Sequence, residues 1–267
     1  NLKVLYVAPE RLATSTFRRY LHSIDLSLIA IDEAHCISEW GHEFRPDYRN
    51  LTGLRESFPT VPVIALTATA TERVRKDIRD QLELRDPNVF IASFNRPNLT
   101  YAVHSKTDQY RRLTGYLRKH EDGSAIIYRS TRRGTEDLAS VLTADGFRAA
   151  PYHAGLEGDR AATQDRFIND QVPIVVATVA FGMGIDKPDI RLVVHYDLPS
   201  SIEQYYQETG RAGRDGLPAD CVLFYSPGDR VQQEYFIGKM ESETERQGAR
   251  SRLDAMVEYA ELFTCRR

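Results

Sequence analysis

The apolar run "LSLIAI" stops at two adjacent carboxylates, Asp32 and Glu33, and His35 follows two residues later. If that run is a strand of an open parallel sheet, these residues sit where such sheets gather ligands, outside the carboxyl ends of the strands. A carboxylate there suits magnesium, held directly or through its waters, and a second beside it suits the orientation or deprotonation of an attacking water. His35 then stands ready to report on a bound phosphate. An isolated Asp-Glu pair is more often a solvated loop end followed by an ordinary helix cap, so the chemistry needs support from elsewhere in the chain.

The second half holds "QYYQETGRAGRDG", in which Arg211 and Arg214 are three apart beside Gly210 and Gly213. On a helical turn this spacing points both guanidinium groups the same way, and guanidinium grips phosphate oxygens in a fork. Small neighbours let an anionic ligand approach closely. Alone, the stretch reads as a solvated basic helix face. Other catalytic patterns fail on inspection. His42 and Glu43 begin H-E-x-x-H, but Pro46 stands where the second histidine belongs, and "GMGIDK" has Lys187 in place of the third glycine of a dinucleotide loop. No G-x-S-x-G nucleophile elbow occurs.

Elements able to position these residues follow from the rhythm of the chain. The runs "LKVLYV", "LSLIAI", "PVIALT", "SAIIY", "PIVVAT", "RLVVHY" and "CVLFY" read as strands, several of them continuously apolar as strands covered on both faces are. Helical stretches lie between them. Leu138, Val141 and Leu142 share a helix face, as do Val74, Ile78 and Leu82, and Thr69 with Glu72 fits a capping box for the latter helix. Alternation of this kind predicts parallel sheets wound with crossover helices. Asn95, Pro97 and Asn98 interrupt the pattern and mark a domain boundary, so residues 1–97 and 98–226 are expected to form two α/β domains. Residues 227–267 form a helical tail in which Leu253, Met256, Val257 and Ala260 fall at helical spacing.

Composition bounds the function. A chain of 267 residues with 42% apolar and 27% charged residues builds one large core or two ordinary ones. No apolar run reaches the roughly 18 residues of a membrane span, and the first residues lack the order of a signal peptide, so an intracellular protein is expected. The three cysteines, Cys36, Cys221 and Cys265, have no C-x-x-C spacing and predict buried thiols. A net charge of -3 leaves any nucleic-acid binding to local patches.

Combination changes the odds. "IDEAH", "ALTATAT", "IIYRSTRR", "VVATVAFGMGIDKPDIRLVVHY" and "QETGRAGRDG" occur in this order and closely resemble motifs II to VI of superfamily 2 helicases. "CISEWGHEFRPDY", "AFGMGIDKPDIR" and "YYQETGRAGRDG" resemble the RecQ family of DNA helicases in particular. The resemblance implies two RecA-like doubly wound parallel-sheet domains, the first incomplete at its N-terminus, plus a short C-terminal helical segment. It implies ATP and magnesium as cofactors, with Asp32 on the metal, Glu33 positioning the hydrolytic water and His35 linking the nucleotide to neighbouring motifs. Thr67 and Thr69 would couple that site to DNA. Gly184 and Asp186 would contact the nucleotide from the second domain, and Gln207, Arg211 and Arg214 would close over the triphosphate, with Arg214 as the arginine finger ahead of Arg211.

In the family, "CISEWGHEF" forms an aromatic-rich loop that senses single-stranded DNA, a role falling here to Trp40, His42, Phe44 and Arg45. A base stacked on an aromatic ring gains about 1 to 3 kcal/mol without sequence preference. The alternative, a core role for Trp40 and Phe44, sits poorly with Ser38, Glu39, His42 and Glu43 around them. Further strand contacts are expected from Pro9, Glu10, Arg11, Asn98, Ser130, Arg132, His153 and Thr178. The implied activity is ATP-dependent translocation on single-stranded DNA in the 3' to 5' direction, with unwinding of duplexes in DNA repair and recombination. Implied partners are single strands, duplex junctions and single-strand-binding protein. The expected state is a monomer, in the cytoplasm with the nucleoid if bacterial and in the nucleus if eukaryotic.

Two departures temper this. The chain has no G-x-x-x-x-G-K-[ST] loop to cradle phosphates, which the family carries upstream of the first residue here, so these 267 residues alone are expected to hydrolyse ATP poorly. Cys265 resembles the first ligand of the family's zinc-binding subdomain, but a structural zinc needs four ligands, so zinc belongs to a longer chain. A helicase-like fragment that binds nucleic acid or a protein partner without turnover is the alternative function.

Overall fold

A strand buried on both faces needs apolar side chains on both, which is the pattern of "SAIIY" and "IVVA". The computed structural model, which describes residues 3–38, 44–93, 95–156, 159–178, 181 and 185–262, places both at the centre of a parallel sheet. The chain divides into two units, residues 1–92 and 93–267.

In the first unit, β1 (Ile29–Ile31) pairs in parallel with β2 (Val63–Ala65), with Ile29 opposite Val63 and Ile31 opposite Ala65. Helices α1 (Pro9–Leu12), α2 (Ser15–His22), α3 (Leu54–Ser57) and α4 (Glu72–Gln81) accompany them. Leu12, Leu21, Ile31, Ile37, Leu51, Val74, Ile78 and Leu82 form the core. Thr71, not Thr69, caps α4, its hydroxyl accepting from the Val74 amide at 3.4 Å; Thr69 is instead held by Thr67. Residues 3–7 of "LKVLYV" form no strand. The Val4, Leu5 and Tyr6 side chains are exposed, because an apolar run becomes a strand only when another pairs with it, and among the described residues β1 pairs with β2 alone.

The second unit is built on six parallel strands in the order β3-β8-β7-β4-β6-β5. These are β3 (Leu99–Ser105), β4 (Ser124–Tyr128), β5 (Ala149–Tyr152), β6 (Ile174–Ala177), β7 (Ile190–His195) and β8 (Ala219–Tyr225). Sequence reading missed β5, whose "AAPY" is short and contains Pro151; proline is tolerated because β5 is an edge strand. Helices α5 (Gln109–Lys119), α6 (Arg132–Ala144), α7 (Asp159–Ile168) and α8 (Ile202–Thr209) cover the sheet. Successive side chains of a strand point to opposite faces. Accordingly Ile126 joins a core with Phe167, Phe181 and Val193, and Ile127 joins another with Leu113, Leu138 and Leu142. Val141, expected on the buried face of α6, is exposed, and Ala139 takes the inner position.

The tail forms two helices, α9 (Pro227–Ile237) and α10 (Glu243–Glu261). Leu253, Met256, Val257 and Ala260 pack with Leu198, Tyr205 and Leu223, so α10 extends the core of the second unit. Cys36 and Cys221 are buried, and burial pushes the Cys221 thiol up to about 12. Among the described residues no helix is long and apolar enough to cross a membrane.

Candidate functional site

The carboxyl end of β1 carries the first constellation. Asp32 and Glu33 follow the strand directly, and the Glu33 amide donates to Asp32 Oδ1 at 2.8 Å. Glu33 itself is left-handed, at φ 47° and ψ 41°, a conformation that costs a non-glycine residue about 1 to 2 kcal/mol. The chain then enters a 3-10 turn, Ala34–Ile37, whose first amide is held by the Leu66 carbonyl at 2.9 Å. That turn buries His35 beside the loop following β2. Thr67 Oγ1 donates to the Thr69 carbonyl at 3.0 Å, so its oxygen must accept from His35 Nδ1 at 2.9 Å. Glu33 Oε2 lies 3.3 Å from the same nitrogen. One imidazole N–H therefore joins the carboxylate pair to the threonine loop.

Asp32 is exposed with one oxygen steadied by a backbone amide, which suits a hydrated magnesium ion; such an ion typically takes one or two protein carboxylates and completes its shell with water and phosphate. Among the described residues no cluster of three or more potential metal ligands occurs, so a dedicated protein cage is not what this site offers.

The aromatic segment is tied to the same place. Trp40 and His42 lie outside the described residues; on either side of them, the Arg45 amide donates to the Cys36 carbonyl at 3.0 Å. The Tyr48 hydroxyl donates to the Asp32 carbonyl at 3.2 Å, and burial raises its pKa. Half-buried Phe44 lies under the Arg49 guanidinium, 5.1 Å from its ring centre. Pro9, Glu10 and Arg11 belong to α1, which packs against the 3-10 turn Pro46–Leu51.

In the second unit the predicted residues sort to the two edges of the sheet. At the carboxyl edge stand Ser130 and Arg132 after β4, His153 after β5 and Thr178 after β6. Asp197, after β7, organises this edge: its carboxylate accepts from the Ser130 amide at 3.0 Å and hydroxyl at 3.2 Å, and pairs with Arg129 at 3.0 Å and Lys106 at 3.2 Å. His153 is buried, one ring nitrogen 2.8 Å from Glu136 and the other accepting from the Gly155 amide at 3.2 Å.

At the amino edge lie Asp186, Arg211 and Arg214, with Gln207 in the last turn of α8 leading into the arginines. Arg214 pairs with Asp186 at 2.9 Å and donates to the Ile185 carbonyl at 3.2 Å. Asn98 is here too, at the opposite edge from Ser130: its amide donates to the carbonyls of Gly213 and Leu217, each at 2.9 Å. Arg96 adds bonds to Gly210 at 2.9 Å and Gly213 at 2.6 Å. The arginine loop can turn this tightly because Gly213 has φ +52°, and a Cβ there would meet the Leu217 carbonyl at 2.7 Å. Gly184 and Cys265 lie outside the described residues.

Sequence reading passed over Asp197, although it follows an apolar run as Asp32 does. It also passed over His195 and Glu208, whose buried pairing at 2.6 Å links β7 to α8 and has no local signature.

Residues 1–78 match the DEAD/DEAH box helicase family model, and residues 106–216 match the helicase conserved C-terminal domain. Parallel sheets with these matches define part of a helicase core with RecA-like domains. The solved structure of yeast Dbp5 L327V bound to RNA and ADP BeF3 shares the fold, with a TM-score of 0.63 at 19% identity, covering 92% of this chain and 60% of that one. The ATP-dependent DNA helicase RecQ of Pasteurella multocida is 48% identical over 268 residues, 100% of this chain and 42% of that protein. Its Bacillus subtilis namesake is 44% identical over 98% of this chain and 45% of its own length. The chain belongs to the RecQ family of helicases. It spans less than half the length of these curated relatives.

Proposed function

We propose that this chain is the core portion of an ATP-dependent DNA helicase that moves 3' to 5' along single-stranded DNA and unwinds duplexes in repair and recombination. The observation that carries the reading is the His35 bridge, 2.9 Å from Thr67 and 3.3 Å from Glu33, which joins the carboxylates suited to ATP hydrolysis to the loop suited to coupling. Asp32 would hold magnesium, which when bound supplies charge neutralisation on the phosphates. Glu33 would orient water, and Arg214, with Arg211 behind it, would meet the triphosphate. Ser130, Arg132 and Thr178 would hold the strand by its phosphates, which position it without reading sequence. Direction of movement, repair role and a possible single-strand-binding partner rest on family likeness.

The chain contains no G-x-x-x-x-G-K-[ST], so on its own it would bind single strands and turn over ATP poorly. That absence favours a second reading, a binding fragment without turnover.

Binding of a labelled single strand over a range of salt, with hydrolysis measured beside it, tests both. Expected is affinity for the single strand that falls with salt by about 0.7 logarithmic units for each phosphate contact, with DNA preferred over RNA. Absence of strand binding at low salt sinks both readings. Robust turnover by these 267 residues alone would refute the expectation of poor hydrolysis.

A further inference from the structure

A buried hydrogen bond between His195 and Glu208 links the carboxyl end of β7 to the last turn of α8, beside a second link from Tyr128 to the Arg211 side chain. His195 ends β7 at the carboxyl edge, and Glu208 stands in the last turn of α8, three residues before Arg211. Their Nε2 and Oε2 are 2.6 Å apart, with His195 only 1% and Glu208 4% exposed. A carboxylate only accepts, so the imidazole supplies the proton. Glu208 Oε1 accepts from Gln204 Nε2 at 3.1 Å, and Gln204 Oε1 accepts from the Ser200 amide and hydroxyl at 3.0 and 2.7 Å. Both carboxylate oxygens are thus spent on fixing α8 against the carboxyl edge.

Burying a carboxylate costs several kcal/mol, and apolar residues of similar volume would pack the helix at least as well. Its distinctive effect is geometric. Rotation of α8 by one residue would swing Glu208 about 100° around the helix and break every one of these bonds. Two further contacts feed the pair from the Ser130 loop. Tyr128, two residues before Ser130, stacks on His195 with ring centres 5.2 Å apart, and Asp197, two residues after His195, holds Ser130. A cavity of about 170 Å³ bordered by Ser130, Asp197, Ser200, Gln204 and Phe236 lies beside that loop.

We propose that His195 and Glu208 are positioning residues that carry occupancy of the Ser130 edge to the arginine loop at the other edge. The inference rests on reading the Ser130 edge as strand-binding and Arg211 and Arg214 as nucleotide-binding. A shift of the Ser130 loop tilts the His195 ring, and Glu208 transmits the tilt to the turn from which Arg211 projects. Physical connection is the warrant, and coupling is what must be measured.

Hydrogen exchange of the 267-residue chain, with and without an oligothymidylate, measures it. In the native chain the oligonucleotide should slow exchange at residues 129–132 and also at 207–213, whose amides are bonded in α8 and the turn after it and therefore readable. Glu208→Gln sets two amide donors against each other at Gln204, and His195→Leu removes the imidazole. Both should keep the first response and reduce the second at least about fivefold. His195→Gln, which retains a donor, should keep both. A second response that survives in both Glu208→Gln and His195→Leu overturns the proposal, as does a native chain that responds at 129–132 alone. No response at either segment in the native chain overturns the strand-binding reading itself, and the inference with it.

Discussion

His35 Nδ1 donates to Thr67 Oγ1 across 2.9 Å, and because the threonine proton is committed to the Thr69 carbonyl, the direction of that bond is settled. Thr67→Val keeps the shape and removes an acceptor from a buried imidazole N–H. Urea unfolding should show the first unit destabilised by about 1 to 3 kcal/mol.

Arg214 and Asp186 form an exposed pair, and such pairs contribute little to stability. Arg214→Ala should therefore leave the unfolding midpoint within about 0.5 kcal/mol of the parent. In a chain that also carries the phosphate loop, DNA-stimulated hydrolysis should fall about a thousandfold. A comparable loss of stability would show that Arg214 supports the fold instead.

Glu33 holds its carboxylate at the cost of a left-handed backbone. Asparagine tolerates that conformation better, so Glu33→Asn should raise the stability of the first unit by up to about 1 kcal/mol while removing the water-orienting group. Thermal unfolding beside a hydrolysis assay checks both halves.

Gly213→Ala should cost at least about 1 to 2 kcal/mol, since its φ of +52° disfavours any Cβ and the Leu217 carbonyl leaves no space for one. Gly216→Ala, also at positive φ but with open space around it, isolates the backbone cost from the clash.

Acid should expose one tie at the amino edge. Burial raises the Asp220 pKa, but hydrogen bonds from Lys119 at 2.6 Å and His120 at 2.8 Å more than offset this, and the net shift is downward from 3.8. A depressed carboxylate stabilises the fold above its unfolded pKa and loses that contribution as pH falls through its folded value. The difference in urea midpoint between the parent and Asp220→Asn should therefore be full at pH 7 and shrink below about pH 4.

Central strands were legible because their burial is written as continuous apolar runs: "SAIIY" and "IVVA" became β4 and β6. "LKVLYV" looked the same and failed, since pairing depends on a neighbour that periodicity cannot see. Strand ends were equally informative where a motif stood there, as at Asp32, and silent at Asp197, whose work appears only when loops from β3, β4 and β7 converge. Asn98 illustrates the limit most sharply. The family resemblance alone offered it as a strand contact, and its partners Gly213 and Leu217 lie more than a hundred residues away, where no local pattern shows them.

Spacing between the edges has an electrostatic consequence. β7 is six residues long, so Gly213, bonded to its first residue, and Ser130, beyond its last, lie roughly 20 Å apart, while the Arg211 side chain reaches back to Tyr128. The Debye length at physiological salt is about 8 Å, so exposed charges at the two ends barely sense each other through solvent. Coupling between the two ends must then travel through the frame between them, along side chains such as Tyr128 and Arg211.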